Sequence, residues 1–485
     1  MTALASPTIT GSTGEWELVI GLEVHAELAT ATKIFCSCPN QFGNEPNTNI
    51  CPVCLGLPGS LPVLNRQVVE FAIRLGAALH ATVQWSIFHR KNYFYPDMPK
   101  DYQVSQYDLP IDANGWLELP SGKRIGITRA HMEEDTGKST HMGSDTGRIH
   151  GADSSLVDYN RAGVPLLEIV SEPDLRSSED ARAYVTELRA ILAATGVSDA
   201  KMEEGSMRVD ANVSVRKPGE GFGTRCEVKN LNSIRSVGRA IEYEARRQVD
   251  LLEAGEKVRQ ETRHWDENDG RTHTLRTKED ADDYRYFPEP DLVPVQPDEA
   301  WQARVRAELP IMPAERRHRL ATAAGVAPDS DAVVLAVDRG LDVIAQAAIE
   351  AGGDPVRVMV HVEHNLAVDG AERLDPSALA SLTRLEVEGK LTSTQAKAVL
   401  AELVSSGGDP VAIAKAKGFE AMEADSLAAV VDKAIADNAE VWAKVLAGND
   451  KAIGAITGAV MKATKGQADG KAVAALLESR RTDAG

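Results

Sequence analysis

No stretch of this chain approaches the ~20 consecutive apolar residues that a membrane helix needs. The opening MTALASPTITGSTGEWE has no basic segment leading into an apolar one. Neither membrane insertion nor export is therefore expected, and the expected location is the cytoplasm. Cysteine is scarce: five in 485 residues, an odd count with two tight pairs, which excludes the disulfide framework of a small secreted scaffold. Positive charge is in deficit. A net charge of -19 excludes indiscriminate nucleic-acid binding, and DNA with it, but leaves room for a selective RNA partner on a local basic patch. Aromatic residues are few and uneven: all nine tyrosines lie at or before Tyr286, and only Trp301, Phe419 and Trp442 follow Val295. A phosphate-binding P-loop is missing too. Gly137-Lys138-Ser139 reads like its end, but Met132 stands where the first glycine belongs, and no apolar strand leads into a helix. Lys138 can still meet a phosphate as a point charge.

What is present, 43% hydrophobic and 26% charged residues, is the composition of a folded protein with room for two to four domains. Residues 1–16 are rich in Ser, Thr and Gly and are expected to be disordered. Residues 17–297 mix strands and helices and hold nearly all the aromatics. After them the chain turns Ala/Leu/Val-rich and helical, giving a connector over 298–404 and a tail over 405–485, divided at Ser405-Ser406-Gly407-Gly408. The helix signals there are explicit: Asp375-Pro376 and Asp409-Pro410 open helices, and Thr392 with Gln395 makes a capping box.

The stretch WELVIGLEVHAEL organises the first region. Leu18, Ile20, Leu22, Val24, Ala26 and Leu28 fall on one face of a strand, and Glu23, His25 and Glu27 on the other, about 7 Å apart along it. Such alternation also suits a solvated sheet edge, but three further segments bring carboxylates in the same setting. RIGITRAHMEEDTGK carries His131, Glu133, Glu134 and Asp135. In SMRVDANVSVR the polar face holds Arg208, Asp210 and Asn212. A Gly-rich turn then leads into TRCEVKN, with Arg225, Glu227 and Lys229 on one side, so a β-hairpin is expected. Several carboxylates cannot crowd one site unless cations neutralise them. Hard oxygens with at most one imidazole select Mg²⁺ or Mn²⁺, and the neighbouring Arg and Lys suit a phosphate. The residues point to a Mg-nucleotide site on an antiparallel sheet.

Four other features stand beside it. Cys36, Cys38, Cys51 and Cys54 form two short-spaced pairs flanking a Pro/Asn/Gly loop, the thiolate set of a closed structural zinc site; redox chemistry at the second pair, or reduced cysteines without metal, are the alternatives. Arg90, Lys91, Tyr93, Phe94, Tyr95 and Tyr102 cluster in a way that either stacks bases and holds phosphates or closes a core. In LVDYNRAGVPLLEIVSEPD, Glu168 sits inside a buried-looking strand, which calls for a partner such as Arg161 or a cation, unless it faces solvent at an edge. From Val441 onward Lys444, Lys451, Lys462, Lys465, Lys471, Arg480 and Arg481 outnumber the acids, either an RNA-contacting surface or an ordinary solvated face.

VIGLEVHAEL, FCSCPN with CPVCLGLPGSLPVLN, RKNYFYPDMPKDYQVSQ, HMEEDTGK, DYNRAGVPLLEIVSEPD, MEEGSMRVDANVSVR, EVKNLNS and KEDADDYRYFPEPDL occur here in one order. In this the chain resembles the B subunits of the aspartyl/glutamyl-tRNA amidotransferases, from Trp16 to Leu292 and on through a helical C-terminus. Ile234 departs from the pattern, standing where an aromatic residue is usual. The resemblance implies an α+β fold, with an antiparallel-sheet catalytic cradle of glutamine-synthetase-like type carrying a zinc-knuckle insertion, then all-α helical and tRNA-contacting tail domains. It implies ATP-dependent phosphorylation of the side-chain carboxylate of Glu misattached to tRNA(Gln), or Asp misattached to tRNA(Asn). Amidation would follow with ammonia from an amidase A subunit, a small C subunit completing a heterotrimer. By motif position it implies Glu23, His25, Glu133 or Glu134, Asp210 and Glu227 as the metal and catalytic set, with Glu134 preferred. It assigns Arg208 and Lys229, with Arg161 and Lys138, to the ATP phosphates. Two rivals are an ATP-dependent ligase acting on a small free acid and a non-catalytic zinc RNA-binding protein.

Overall fold

The computed structural model describes residues 8–143, 151–277, 284–419, 424–446, 449, 452–464, 468 and 470–483. Its strands are β1 (Thr8–Gly11), β2 (Gly14–Glu27), β3 (Thr82–Val83), β4 (His89–Asn92), β5 (Tyr102–Ser105), β6 (Asp112–Glu118), β7 (Arg124–Glu134), β8 (Lys138–Met142), β9 (Ser154–Asp158), β10 (Pro165–Ser171), β11 (Met207–Arg216), β12 (Cys226–Leu231), β13 (Glu261–Asp266), β14 (Arg271–Thr277) and β15 (Phe287–Pro288). Helices α1 (Arg66–Ala78), α2 (Ser178–Ala194), α3 (Ile234–Glu253) and α4 (Glu299–Ala307) complete the first of two compact units, which runs to Ala314. This is an α+β architecture.

The main sheet has the order β14-β13-β12-β11-β2-β10-β7-β6-β3, with β1 also on β2. Its pairings are antiparallel except that of β12 with β13. The alternation in β2 is realised as expected: the apolar residues from Leu18 to Leu28, just past its end, are at most 5% exposed, each buried Leu, Ile or Val side chain contributing roughly 1.5–3 kcal/mol. They share a core with Phe71 and Leu75 of α1, Tyr184 and Leu188 of α2, and Val237 and Ile241 of α3. Those three helices start where the sequence caps them, with the side chains of Asn65, Ser177 and Ser233 accepting from the backbone N–H groups of Gln67, Asp180 and Ser236. With helices on its apolar face, the sheet keeps the other face for polar side chains. A small second sheet, β15-β4-β5, and the ribbon β8-β9 are not hydrogen-bonded into its ladder, but β5 lies against β7, with Ser105 Oγ donating to Glu133 at 3.4 Å.

Two expected boundaries of this first unit shift. Residues 8–16 are not disordered: β1 pairs with the start of β2, and Glu253 at the end of α3 holds the turn, accepting from Ser12 N and Thr13 N at 2.8 Å and from Trp16 Nε1 at 3.1 Å. Residues 1–7 lie outside the described residues. The first unit extends past residue 297, because α4 buries Val305 in the same core and Trp301 Nε1 donates to Glu70 at 3.1 Å.

The second unit is helical and carries two cores, one from Leu320 to Ala414 and one from Leu427 to Leu477. The capping box at Thr392 and the Asp-Pro starts form as expected. The break expected at 405 falls later, since Ala414 and Phe419 pack on the first of these cores. Among the described residues no helix is long and apolar enough to cross a membrane.

Candidate active site on the polar face of the sheet

Strand register builds the site. His131 of β7, Glu168 of β10, His25 of β2 and Arg208 of β11 lie side by side in one row across four strands. Glu133 belongs to the row on one side, and Glu23 paired with Asp210 to the row on the other. His25 is the hub: Nδ1 is 3.3 Å from Glu133 Oε1 and 3.9 Å from Glu168 Oε2, and Nε2 is 3.9 Å from Asp210 Oδ2. His131 Nε2 lies 3.5 Å from Glu168 and 3.8 Å from Glu133. Lys229 of β12 donates to both Asp210 and Glu227, the latter at 2.8 Å. Thr262 Oγ1 donates to Glu227 at 2.8 Å and Asn212 Nδ2 to Glu23 at 2.9 Å.

Acid exceeds base here, and the titration behaviour follows. Burial disfavours a charged His25, but the hydrogen bond to Glu133 and the fields of Glu168, Glu133 and Asp210 prevail and push its pKa up to about 9. Glu133, also buried, is held well below the usual carboxylate range by His131 and His25. Glu23 is pushed up, first by burial and then by Glu168 and Glu227. Lys229 is raised against the cost of burial by Asp210 and Glu227. Ligand atoms of His25, Glu133 and Glu168 lie within 4.8 Å of one another, a spacing that could hold a metal ion.

Of the residues expected here, Glu23, His25, Glu133, Asp210, Glu227 and Lys229 are brought together. Glu134 is not. Adjacent strand residues point to opposite faces, and Glu134 takes the far side, where it pairs with Lys100 and accepts from Val104 N at 2.8 Å. There it lines a cavity of about 60 Å³ together with Cys36 and Cys54. Arg161 does not partner Glu168: its Nε is 3.2 Å from Asp135, which also accepts from Arg208 Nη2 at 2.6 Å. Arg208 and Arg161 thus gather at the Asp135 end, beside Glu27, whose carboxyl burial and Asp135 push up to about 7. Lys138 is exposed at the start of β8, opposite Asp158 in the register, and the site carboxylates are not among its described partners.

Glu168 and His131 belong to the cluster although motif position pointed elsewhere. The signal was the lone carboxylate in the apolar run LLEIV, which needed a partner across the strands. Lys91 was legible only as part of an aromatic cluster. Burial works against its charge, but Glu133, the tyrosines 286 and 284, and Glu168 raise its pKa, so the fields of two site carboxylates reach it. On the opposite flank a cavity of about 200 Å³ is bordered by Glu23, Asn212, Phe222 and Arg225.

The four paired cysteines converge, their sulfurs within 4.8 Å of one another; a metal held at thiolate bond lengths needs sulfurs about 3.8 Å apart, so this cluster could bind one. The Cys54 thiol is lowered to about 5, chiefly by the hydrogen bond from Cys36 with Lys33 assisting, whereas burial raises Cys38 to about 11. Lys33 ties down the loop by donating to the carbonyls of Asn49 and Tyr159 at 2.8 and 3.2 Å. Cys226 is fully buried at the start of β12, its thiol raised to about 12 by burial and Glu244.

Residues 18–303 match the family model described as the GatB/GatE catalytic domain, and residues 361–480 match the one described as the GatB domain. The chain is 50% identical to the aspartyl/glutamyl-tRNA(Asn/Gln) amidotransferase B subunit of Frankia casuarinae, over 98% of each chain. It is 50% identical to that of Salinispora arenicola over 96% of each. It is 49% identical to that of Nocardia farcinica, over 98% of this chain and 99% of that one. Two domain models in the expected order and identity of this level over nearly the whole length agree with the site just described: the chain belongs to the family of aspartyl/glutamyl-tRNA(Asn/Gln) amidotransferase B subunits.

Proposed function

We propose that this polar face activates the side-chain carboxylate of Glu on tRNA(Gln), or of Asp on tRNA(Asn), by ATP-dependent phosphorylation and then converts it to the amide. The observation that carries the reading is the excess of carboxylates around His25, built by four strands and bordered by Lys229 and Lys91. The open polar face of a large, mainly antiparallel sheet is also what a glutamine-synthetase-like cradle would require. His25, Glu133 and Glu168 would hold Mg²⁺, with Glu23, Asp210 and Glu227 completing the ligand field. Mg²⁺ supplies neutralisation of the phosphate charge during transfer.

The chain's own residues do the rest. Lys229, held between Asp210 and Glu227, presents a fixed cation to the transferring phosphoryl group. The cavity beside Glu23 is suited to the nucleotide, with Phe222 offering a ring and Arg225 a charge. The substrate carboxylate oxygen attacks the terminal phosphorus, ADP leaves, and the resulting acyl phosphate has the leaving group that a carboxylate lacks. Ammonia then adds to the carbonyl carbon and phosphate departs. A carboxylate of the surrounding cluster takes the proton released by the nitrogen.

Ammonia has to come from elsewhere, because Cys226 is buried and the other cysteines are committed to their cluster, where they are suited to structural zinc. The donor would be an amidase A subunit, with a small C subunit in the same assembly. The test is ATP cleavage by the purified assembly with charged and uncharged tRNA(Gln) and tRNA(Asn) and with free glutamate. Cleavage that requires the misacylated tRNA is expected. Equal cleavage with the free acid would make the protein a small-molecule ligase instead.

A further inference from the structure

The second sheet places a cluster of rings against the catalytic face. Tyr107, just after β5, stacks on Tyr286, with ring centroids 4.3 Å apart and planes 12° from parallel. Tyr284 meets Tyr286 edge-on at 6.1 Å, and His89 of β4 lies edge-on to Tyr107 and Tyr286 at 6.2 and 6.5 Å. The backbone leading into Tyr286 is held in place: Asn92 Nδ2 donates to the carbonyls of Tyr284 and Arg285 at 3.0 and 2.8 Å, and its backbone N–H donates to Tyr284 O at 3.0 Å. Tyr107 is nevertheless 57% exposed. A stacked, braced ring with an open face is a poor way to close a core and a good platform for another flat ring.

Ser105 connects this platform to the chemistry. At the end of β5, two residues before Tyr107, it donates from Oγ to Glu133 Oε2 at 3.4 Å, and Lys91 of β4 places its Nζ 4.8 Å from the Tyr284 ring centroid. Whatever stacks on Tyr107 is therefore close to Glu133 of the carboxylate cluster.

Resting on the function proposed above, we infer that the Tyr107–Tyr286 platform stacks the unpaired terminal nucleobase of the aminoacylated tRNA and so sets the reach of the attached acid side chain into the site. The terminal nucleoside is the right occupant on two grounds. The acid to be activated is esterified to that nucleoside's own ribose, so base and reacting carboxylate are one aminoacyl group apart. The platform is also open, which suits the unpaired end of a large molecule, whereas a free nucleotide is better buried in the concavity beside Glu23 on the opposite flank. Lys91, on this reading, meets the substrate's side-chain carboxylate as it arrives.

The test compares wild type, Tyr107→Ala and Tyr107→Phe in the full assembly. Two substrates are used: charged tRNA with its normal terminus, and the same charged tRNA lacking the terminal base. Melting curves check that the exposed substitutions leave the fold intact. Tyr107→Ala should raise KM for normal charged tRNA roughly fivefold to a hundredfold, the range for one base–aromatic stack. Tyr107→Phe should stay near wild type, and KM for ATP should not move. Removing the terminal base should cost wild type a similar factor and cost Tyr107→Ala little more. A raised KM for ATP instead would give the platform to the nucleotide's adenine and overturn the inference. So would independent, multiplying effects of substitution and base removal. ATP cleavage by wild type that ignores charged tRNA would overturn the underlying functional reading, and is recognisable before any variant is compared.

Discussion

Both units of this protein bury charged side chains, and they do so in opposite ways. In the helical unit, Glu386 faces His361 at 2.6 Å and Arg357, with Asn365 Nδ2 3.1 Å from the other imidazole nitrogen. Asp342, 4% exposed, takes Arg316. Each acid there has its own base, and the pairs are closed. In the sheet unit His25 faces Glu133, Glu168 and Asp210 within 4 Å, His131 sharing the first two, and Lys229 is shared between two acids. A closed pair has nothing left to offer a ligand, whereas a surplus of acid is stable only with help from outside. Function is therefore to be sought where the charges fail to balance.

The largest effects should come from reducing that surplus. Asp210→Asn and Glu227→Gln should lower tRNA-dependent ATP cleavage by roughly a hundredfold or more, the scale of losing one charge-stabilising group. Partial recovery is expected at high Mg²⁺ or Mn²⁺, with a melting temperature equal to or above wild type, since one of several crowded carboxylates is neutralised. Loss of activity through unfolding alone, seen in melts without metal, would erase the contrast between the units.

Glu386→Gln should do the reverse, costing about 2–4 kcal/mol of stability and leaving turnover of the folded fraction unchanged. The pH dependence follows from the same pair: Glu386 is held below its ordinary 4.5 by His361 and Arg357, which outweigh burial. Its contribution is present above pH 4.5 and is lost as pH falls through the lower folded value. The variant's melting curve should converge on wild type in that acid range.

A third case cuts across the contrast. Asp112 of β6 is fully buried, and neither carboxylate oxygen has a hydrogen-bond partner among the described residues. Burial raises its pKa well above the ordinary 3.8. The folded state holds this proton more tightly, so stability that is full below pH 3.8 falls as pH rises through the folded value. Asp112→Asn should therefore gain about 1–2 kcal/mol at pH 8 and little at pH 4, as denaturant titrations at the two values would show.

The smallest effect concerns the tail. Lys451 and Lys465 lie outside the described residues. Arg480 already pairs with Asp432 at 2.7 Å, and Arg481 lies 3.7 Å from Glu478. Reversing Lys444 and Lys462 to Glu should flatten the salt dependence of tRNA binding by about one to two units of log–log slope. An unchanged slope would leave the tail a solvated face and confine RNA contact to the sheet unit.

What the sequence determined by itself is whatever depends on near neighbours. The alternation in β2 needed only the pleat to separate Glu23 and His25 from Leu22 and Val24, and the caps at Asn65, Ser177, Ser233 and Thr392 needed only their own first turns. The chain's eight ordered motifs also carried its family. Tertiary structure decided what depends on register and on far partners. HMEED has no apolar alternation to say which glutamate faces which way, and only the pairing of Leu166 with Glu133 and of Pro165 with Glu134 sends one to His25 and the other to Lys100. Glu168 joins the cluster because β10 inserts between β2 and β7, strands about a hundred residues apart in the chain. Lys91 reaches the site from a second sheet. Side-chain direction along one strand is local and has period two, but which strands lie adjacent, and at what offset, is set by packing the whole core.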